Sequence, residues 1–145
     1  MLSNTCKYGI RAIIYLALEE NDKKVGIKQI AEDLDIPSPF LSKILQLLAK
    51  NKVLNSTKGP HGGFGLGRPA DEIKLMDIIK IIDGMDYFET CLIGMKSCTD
   101  PNSPIQCPIH KDYNPIREQT RELFEKTSIA KLAEDIKLSG GEVRI

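Results

Sequence analysis

The chain has no tryptophan, only two histidines, and no net charge, since its 20 acidic residues balance its 20 basic ones. Two histidines leave little material for cysteine or histidine catalysis, which needs an activated pair in a pocket. No run of about 18 apolar residues occurs, so no segment reads as a membrane span. Met1 to Glu20 lacks the charged, then apolar, then cleavage-site order of a secretion signal. Repeats, low-complexity tracts, a Gly-rich phosphate loop, a nucleophile elbow and a metalloprotease motif are also missing. A cytoplasmic protein is expected. In that reducing compartment its four cysteines suit metal or redox chemistry better than disulfide staples. With 145 residues and 41% hydrophobic content, the chain can form one ordinary domain with an appended element.

What is present centres on residues 27–66. Ile27, Ile30, Ala31 and Leu34 recur at three and four residues and form one apolar stripe, with Ala31 small enough for close helix crossing. Pro37 disfavours helical geometry at Ile36, whose side chain can plug the corner. Ser38 can then cap a second helix that has Pro39 at its first position. In that second helix Phe40, Leu41, Ile44, Leu45 and Leu48 are expected to face inward. Ser42, Lys43, Gln46 and Lys50 are left outside. This is helix-turn-helix geometry, in which early residues of the second helix reach base edges in the major groove and later lysines reach phosphates. The alternative is a helical hairpin whose polar face meets only water.

A glycine-rich hairpin follows. Val53 to Thr57 is strand-like, 58–63 is turn chemistry, and Phe64 to Leu66 can return as a second strand. Helix, turn, helix, hairpin is the winged-helix order. From Ser38 to Arg68 the only charged residues are Lys43, Lys50, Lys52, Lys58 and Arg68, all basic, so a local positive field sits on a neutral chain. The candidate DNA contacts are Ser38, Pro39, Ser42, Lys43, Gln46 and Lys50 in the helix, with Lys58 and His61 in the wing. The half from residue 69 onward is net acidic, as suits a partner-binding half.

Elsewhere, Tyr8 to Glu19 reads as a helix whose isoleucines cover too much of its circumference for a surface position. Lys7 and Arg11 near its start either meet an anion or are simply solvated. Glu72 to Leu75 suggests a short strand, and Met76 to Ile82 a brief helix ending at Gly84. Next comes a loop with Cys91, Cys98, Cys107 and His110, punctuated by Gly94, Pro101, Pro104 and Pro108. Three thiolates and an imidazole can hold tetrahedral zinc or the irons of an iron-sulfur cluster. Structural zinc sites space paired ligands two to four residues apart. Here six residues separate Cys91 from Cys98 and eight separate Cys98 from Cys107. Cys6, isolated from this group, is either a buried apolar residue or a further ligand. Asn114 can cap a helix with Pro115 at its first position, on which Ile116, Leu123 and Phe124 form a thin apolar seam. That seam suits either pairing with a second copy or packing on its own domain. Ser128 can cap a last helix, and a loose tail follows.

Taken together, Lys7-Tyr8-Gly9, Ile30-Ala31 to Ile36, Phe40-Leu41 to Leu48, the wing from Gly59 to Leu66, Asp77-Ile78-Ile79 to Asp83-Gly84 and the three later cysteines resemble the Rrf-two family of bacterial transcriptional regulators, which has IscR-like and NsrR-like branches. The resemblance runs over nearly the whole chain. It implies a mainly α fold with a small β-hairpin wing: a winged helix-turn-helix domain over 1–84, a cluster-binding loop over 85–113, a dimerisation helix and final helix over 114–138, and a tail over 139–145. It also implies a homodimer paired through the C-terminal helix, a palindromic double-stranded operator, and a [2Fe-2S] or [4Fe-4S] cluster on Cys91, Cys98 and Cys107. His110 matches the histidine ligand of the IscR-like branch, with Cys6 in reserve. Lys58 stands where many members carry arginine. The implied signal is iron, redox or nitric oxide status. Three alternatives stand beside this: a cluster-free regulator reading thiol oxidation or a partner protein, a zinc-stabilised interaction module, and an enzyme.

Overall fold

A computed structural model describes residues 1–19, 23–95 and 107–143. Helix α1 spans Asn4–Leu18 and begins before the expected Tyr8, because Ser3 caps it: the Ser3 hydroxyl oxygen accepts the Cys6 backbone N–H at 3.0 Å. The Ser3 backbone N–H and hydroxyl both donate to the Asp83 carboxylate, tying the chain start to the end of a later helix. α1 buries Cys6, Gly9, Ala12, Ile13, Ile14 and Leu16 and lies at the centre of the core.

Helices α2 (Ile27–Leu34) and α3 (Ser38–Lys50) form the expected bihelical unit. The corner is made by Asp35 in the left-handed region at φ 53° and by Ile36, which is buried and donates its N–H to the Ala31 carbonyl at 2.9 Å. Arg11 supports the same corner, its Nη2 donating to the Leu34 carbonyl at 2.9 Å. Two local expectations are corrected. Pro37 occupies the cap position and Ser38 lies inside the helix, so Ser38 makes no cap hydrogen bond. Phe40 does not join the core; it is 42% exposed and packs edge-to-face on Tyr8, its ring centroid 5.7 Å away. Leu41, Ile44, Leu45 and Leu48 fill the inward face as their spacing requires.

The wing pairs β1 (Leu54–Thr57) antiparallel to β2 (Gly63–Leu66), with Leu54 opposite Leu66 and Thr57 opposite Gly63. Val25 adds a one-residue third strand, exchanging backbone hydrogen bonds of 2.9 and 2.8 Å with Phe64. This bridge fixes the hairpin to the head and explains Gly63. Its φ is +145°, and a Cβ there would lie 2.5 Å from the Val25 carbonyl oxygen.

Beyond the wing, α4 (Leu75–Ile82) starts where a short strand was expected to end. Of that strand only a single bridge between Lys74 and Ser128 forms, because the Asp77 carboxylate accepts the Lys74 N–H at 3.0 Å and caps a helix there. A one-turn helix α5 (Asp86–Glu89) sends Phe88 into the core. α6 covers His110–Lys126, four residues ahead of the expected start, so Pro115 lies within the helix rather than at its first position. As the sixth residue, the proline lacks the N–H that would otherwise bond the Lys111 carbonyl, so the second turn of α6 is one intrahelical bond short. α7 (Ile129–Leu138) is capped by Ser128, whose hydroxyl oxygen accepts the Lys131 N–H at 3.2 Å, and packs back on α1. Among the described residues, no helix is long and apolar enough to cross a membrane.

Replacing Gly63 with Ala forces a Cβ against backbone that has no side-chain freedom to yield. The expected cost is about 1–3 kcal/mol, read as a lower urea midpoint; an unchanged midpoint would show that the Val25 bridge is not anchoring the wing.

Candidate nucleic-acid interface and cysteine loop

The first candidate surface runs along the outer side of α3 and onto the wing. Lys43, Gln46 and Lys50 are exposed and Ser42 is half-buried, with Gln46 Nε2 donating to Ser42 Oγ at 3.1 Å. Ser38 is half-buried and Pro39 exposed at the start of the same helix, while Lys58 and His61 are exposed on the hairpin turn. A groove lined by Gln46, Lys50, Lys52, Asn55 and Ser56 joins helix to wing. Asn55 and Ser56 were not anticipated, although their polar, outward positions on an edge strand were a readable signal. Lys24 was missed as well. Its ammonium donates to Asn55 Oδ1 at 2.9 Å and Thr57 Oγ1 at 2.6 Å, adding a cation beside the wing that only the fold brings there. Of the two earlier cations, Arg11 is engaged in the corner and Lys7 is exposed.

The second surface is at the base of the cysteine loop. Cys91 follows Thr90, whose backbone N–H and hydroxyl both donate to the Asp86 carbonyl, at 2.8 and 2.7 Å. Cys107 precedes α6, and its carbonyl accepts the His110 N–H at 3.0 Å. The two half-buried sulfurs lie 3.3 Å apart. Cys98 falls outside the described residues. Among the described residues no group of three potential metal ligands converges, so of the expected set the structure brings Cys91 and Cys107 together and does not bring His110, the first residue of α6, into a ligand group with them.

The residue before Cys91 is held by Arg117, which is 2% exposed. Its Nη1 donates to the Thr90 carbonyl at 3.2 Å and its Nη2 to Asn114 Oδ1 at 2.6 Å, while its guanidinium stands 5.9 Å from the Tyr113 ring centre. Its Nε has no partner, and no acidic side chain pairs with it among the described residues. A hydrogen bond to Tyr87, together with burial, raises the Tyr113 phenol above its usual range. Four positions along, Arg121 lies over the Phe88 ring at 5.6 Å. α6 therefore turns arginines inward and leaves Ile116 and Leu123 outward, each more than half exposed. Phe124, grouped with them on spacing, instead faces its own domain and meets Phe88 edge-to-face.

Cys6 belongs to neither surface. It lies in the first turn of α1 rather than before it and is fully buried. Burial first, and the Asp83 carboxylate second, push its thiol up to about 12. A group held that firmly protonated is a core residue rather than a ready thiolate ligand.

The family model described as an iron-dependent transcriptional regulator, Rrf2, matches residues 2–135. The chain belongs to the Rrf2 family. An Aquifex aeolicus protein named as an HTH-type transcriptional regulator is 35% identical over 133 residues, covering 91% of this chain and 90% of its own. Two solved structures share the fold: the global cysteine regulator CymR of B. subtilis, at TM-score 0.75 and 23% identity over 92% of this chain and 96% of its own, and T. potens IscR, at 0.76 and 22% over 97% and 90%. The chain is thus a winged-helix transcriptional regulator and not an enzyme, as its sequence indicated.

Linkage gives Cys6 a checkable signature. Its raised pKa contributes stability that is complete below the ordinary thiol value of 9.0 and is lost as pH climbs from there toward about 12. Wild-type protein should therefore lose more stability than Cys6→Ala between those limits, and native Cys6 should resist alkylation that Cys91 and Cys107 accept. Equal pH slopes for the two proteins would refute this.

Proposed function

We propose that this regulator is a cytoplasmic homodimer that binds a palindromic operator through α3 and the wing, and whose binding is controlled by an iron-sulfur cluster held at the loop base. The single observation that supports the control element is the meeting of Cys91 and Cys107, next to the Thr90 carbonyl that the buried Arg117 guanidinium holds. Two neighbouring thiols would serve as thiolate ligands of the cluster, and a cation with no acidic partner among the described residues would favour a site that gathers negative charge. Cys98 and His110 would supply the remaining ligands. A bound cluster supplies reactivity toward iron supply, oxygen or nitric oxide. The chain's own part is to transmit it: the loop base is tied through Arg117 and Asn114 to α6, and α6 packs on α4 and hence on the head.

Dimerisation is supported by the outward Ile116 and Leu123, seven residues apart on a helix that keeps its arginines inside. A symmetric pair can set two recognition helices about 34 Å apart, one turn of DNA, so a small movement of α6 would switch binding. In each head Ser42, Lys43 and Gln46 would read bases, with Ser38 and Pro39 at the entry of the helix. Lys50, Lys58 and His61 would hold the backbone.

A second reading, control by thiol oxidation without a cluster, is favoured by the same sulfur separation. The two are separated by anaerobic purification. Iron and sulfide in the reduced protein, lost on changing Cys91 or Cys107 to Ala, support the cluster; their absence after reconstitution refutes it.

Two further outcomes are expected. Leu123→Asp should yield a monomer by analytical ultracentrifugation, with operator affinity lowered at least about tenfold; a dimer would refute the α6 seam. Lys50→Ala and Lys58→Ala should each weaken binding across sequences and lower the salt slope by about one. Gln46→Ala should cost about 1–3 kcal/mol at particular base pairs only.

A further inference from the structure

The loop base is built as a dithiol as well as a ligand pair. Cys91 and Cys107 stand sixteen positions apart in sequence with sulfurs 3.3 Å apart, so closing a bond of about 2.05 Å asks for a movement of roughly 1 Å. Both ends are held. Thr90 is fastened to the last turn of α5 by its N–H and hydroxyl, and its carbonyl accepts from the buried Arg117; Cys107 is fastened to the first turn of α6 through the His110 N–H. Both cysteines are half-buried residues, unlike Cys6, which is fully buried in the core.

We propose that Cys91 and Cys107 form a reversible intramolecular disulfide in the metal-free protein, with Arg117 as the positioning residue that holds the Cys91 backbone in register. The inference deepens the reading of this loop as the control element and rests on it. The oxidant is a low-molecular-weight disulfide such as oxidised glutathione. One cysteine thiolate attacks a glutathione sulfur, breaking that S–S bond and releasing glutathione thiolate, which takes up a proton. The second cysteine then gives up its proton and attacks the mixed disulfide, forming the Cys91–Cys107 bond and releasing the second glutathione. Two protein thiols are oxidised and one glutathione disulfide is reduced. The bond joins α5 directly to the start of α6 and consumes two of the sulfurs that iron would need, so metal loading and oxidation exclude each other.

The test uses the full-length chain, reduced and stripped of metal with a chelator. It is incubated anaerobically with oxidised glutathione, quenched with acid, alkylated and peptide-mapped. The expected result is an intramolecular bond between Cys91 and Cys107 that a dithiol reverses and that still forms in Cys98→Ser. The oxidised protein should take up no iron and sulfide until it is reduced. Arg117→Met should slow the ring-closing step by about tenfold while the first glutathione adduct forms at the wild-type rate, since only the second step needs the two residues in register. Arg117→Lys, read the same way beside a circular-dichroism check of folding, should fall between. A bond that maps to Cys98 or Cys6, or glutathione adducts that never close, overturns the proposal. Iron uptake by the reduced protein is a separate readout: if it fails, the cluster reading falls while the mapped disulfide still decides the dithiol.

Discussion

The close approach of α1 to its neighbours is the constraint on which the molecule depends. At Gly9 a Cβ would lie 2.6 Å from Ile82 Cδ1 and 3.3 Å from Ile44 Cγ2, so a side chain there would have to displace those side-chain ends for α1 to keep its depth against α3 and α4. Ala12, one turn on, is also fully buried. Around this small-residue seam α1 touches α2, α3, β2, α4 and α7, which places the recognition helix and the C-terminal helices against a common support. The Ser3 to Asp83 contacts close the same arrangement from the chain start.

That support also joins the two candidate surfaces through packed elements. The loop base is fastened to α5 and α6, α6 packs on α4, and α4 packs on both α1 and α3. The cysteine pair is thus connected to α3 through packed side chains, and dense interiors transmit strain. Arg117 stands at the loop end of that route. A buried guanidinium with one unpartnered nitrogen and neutral acceptors is costly.

Legibility varied along the chain with the physics involved. The bihelical unit was readable because Ile30, Ala31, Leu34, Leu41, Ile44, Leu45 and Leu48 follow helical periodicity on both sides of Pro37. The wing was readable from its glycines, although the reason for Gly63 was not, since it lies in a bridge to Val25, 38 residues earlier in the chain. α6 was misjudged at its start because Asn114-Pro115 has the chemistry of a helix entrance. The helix runs through it, and Asn114 serves Arg117 instead of the backbone. Arg117 and Arg121 stand among glutamates and lysines in the sequence; only the position of Thr90, Tyr113 and Phe88 turns them inward.

Local periodicity, helix-breaking prolines and turn glycines act between near neighbours, so the amino-acid order by itself determined the winged-helix class, the basic outer face of α3 and the family. Which cysteines meet, which arginine is buried and which side of α6 faces outward depend on contacts between residues far apart in the chain. Burial, desolvation and sulfur-to-sulfur distance are properties of those contacts, and only the tertiary structure decided them.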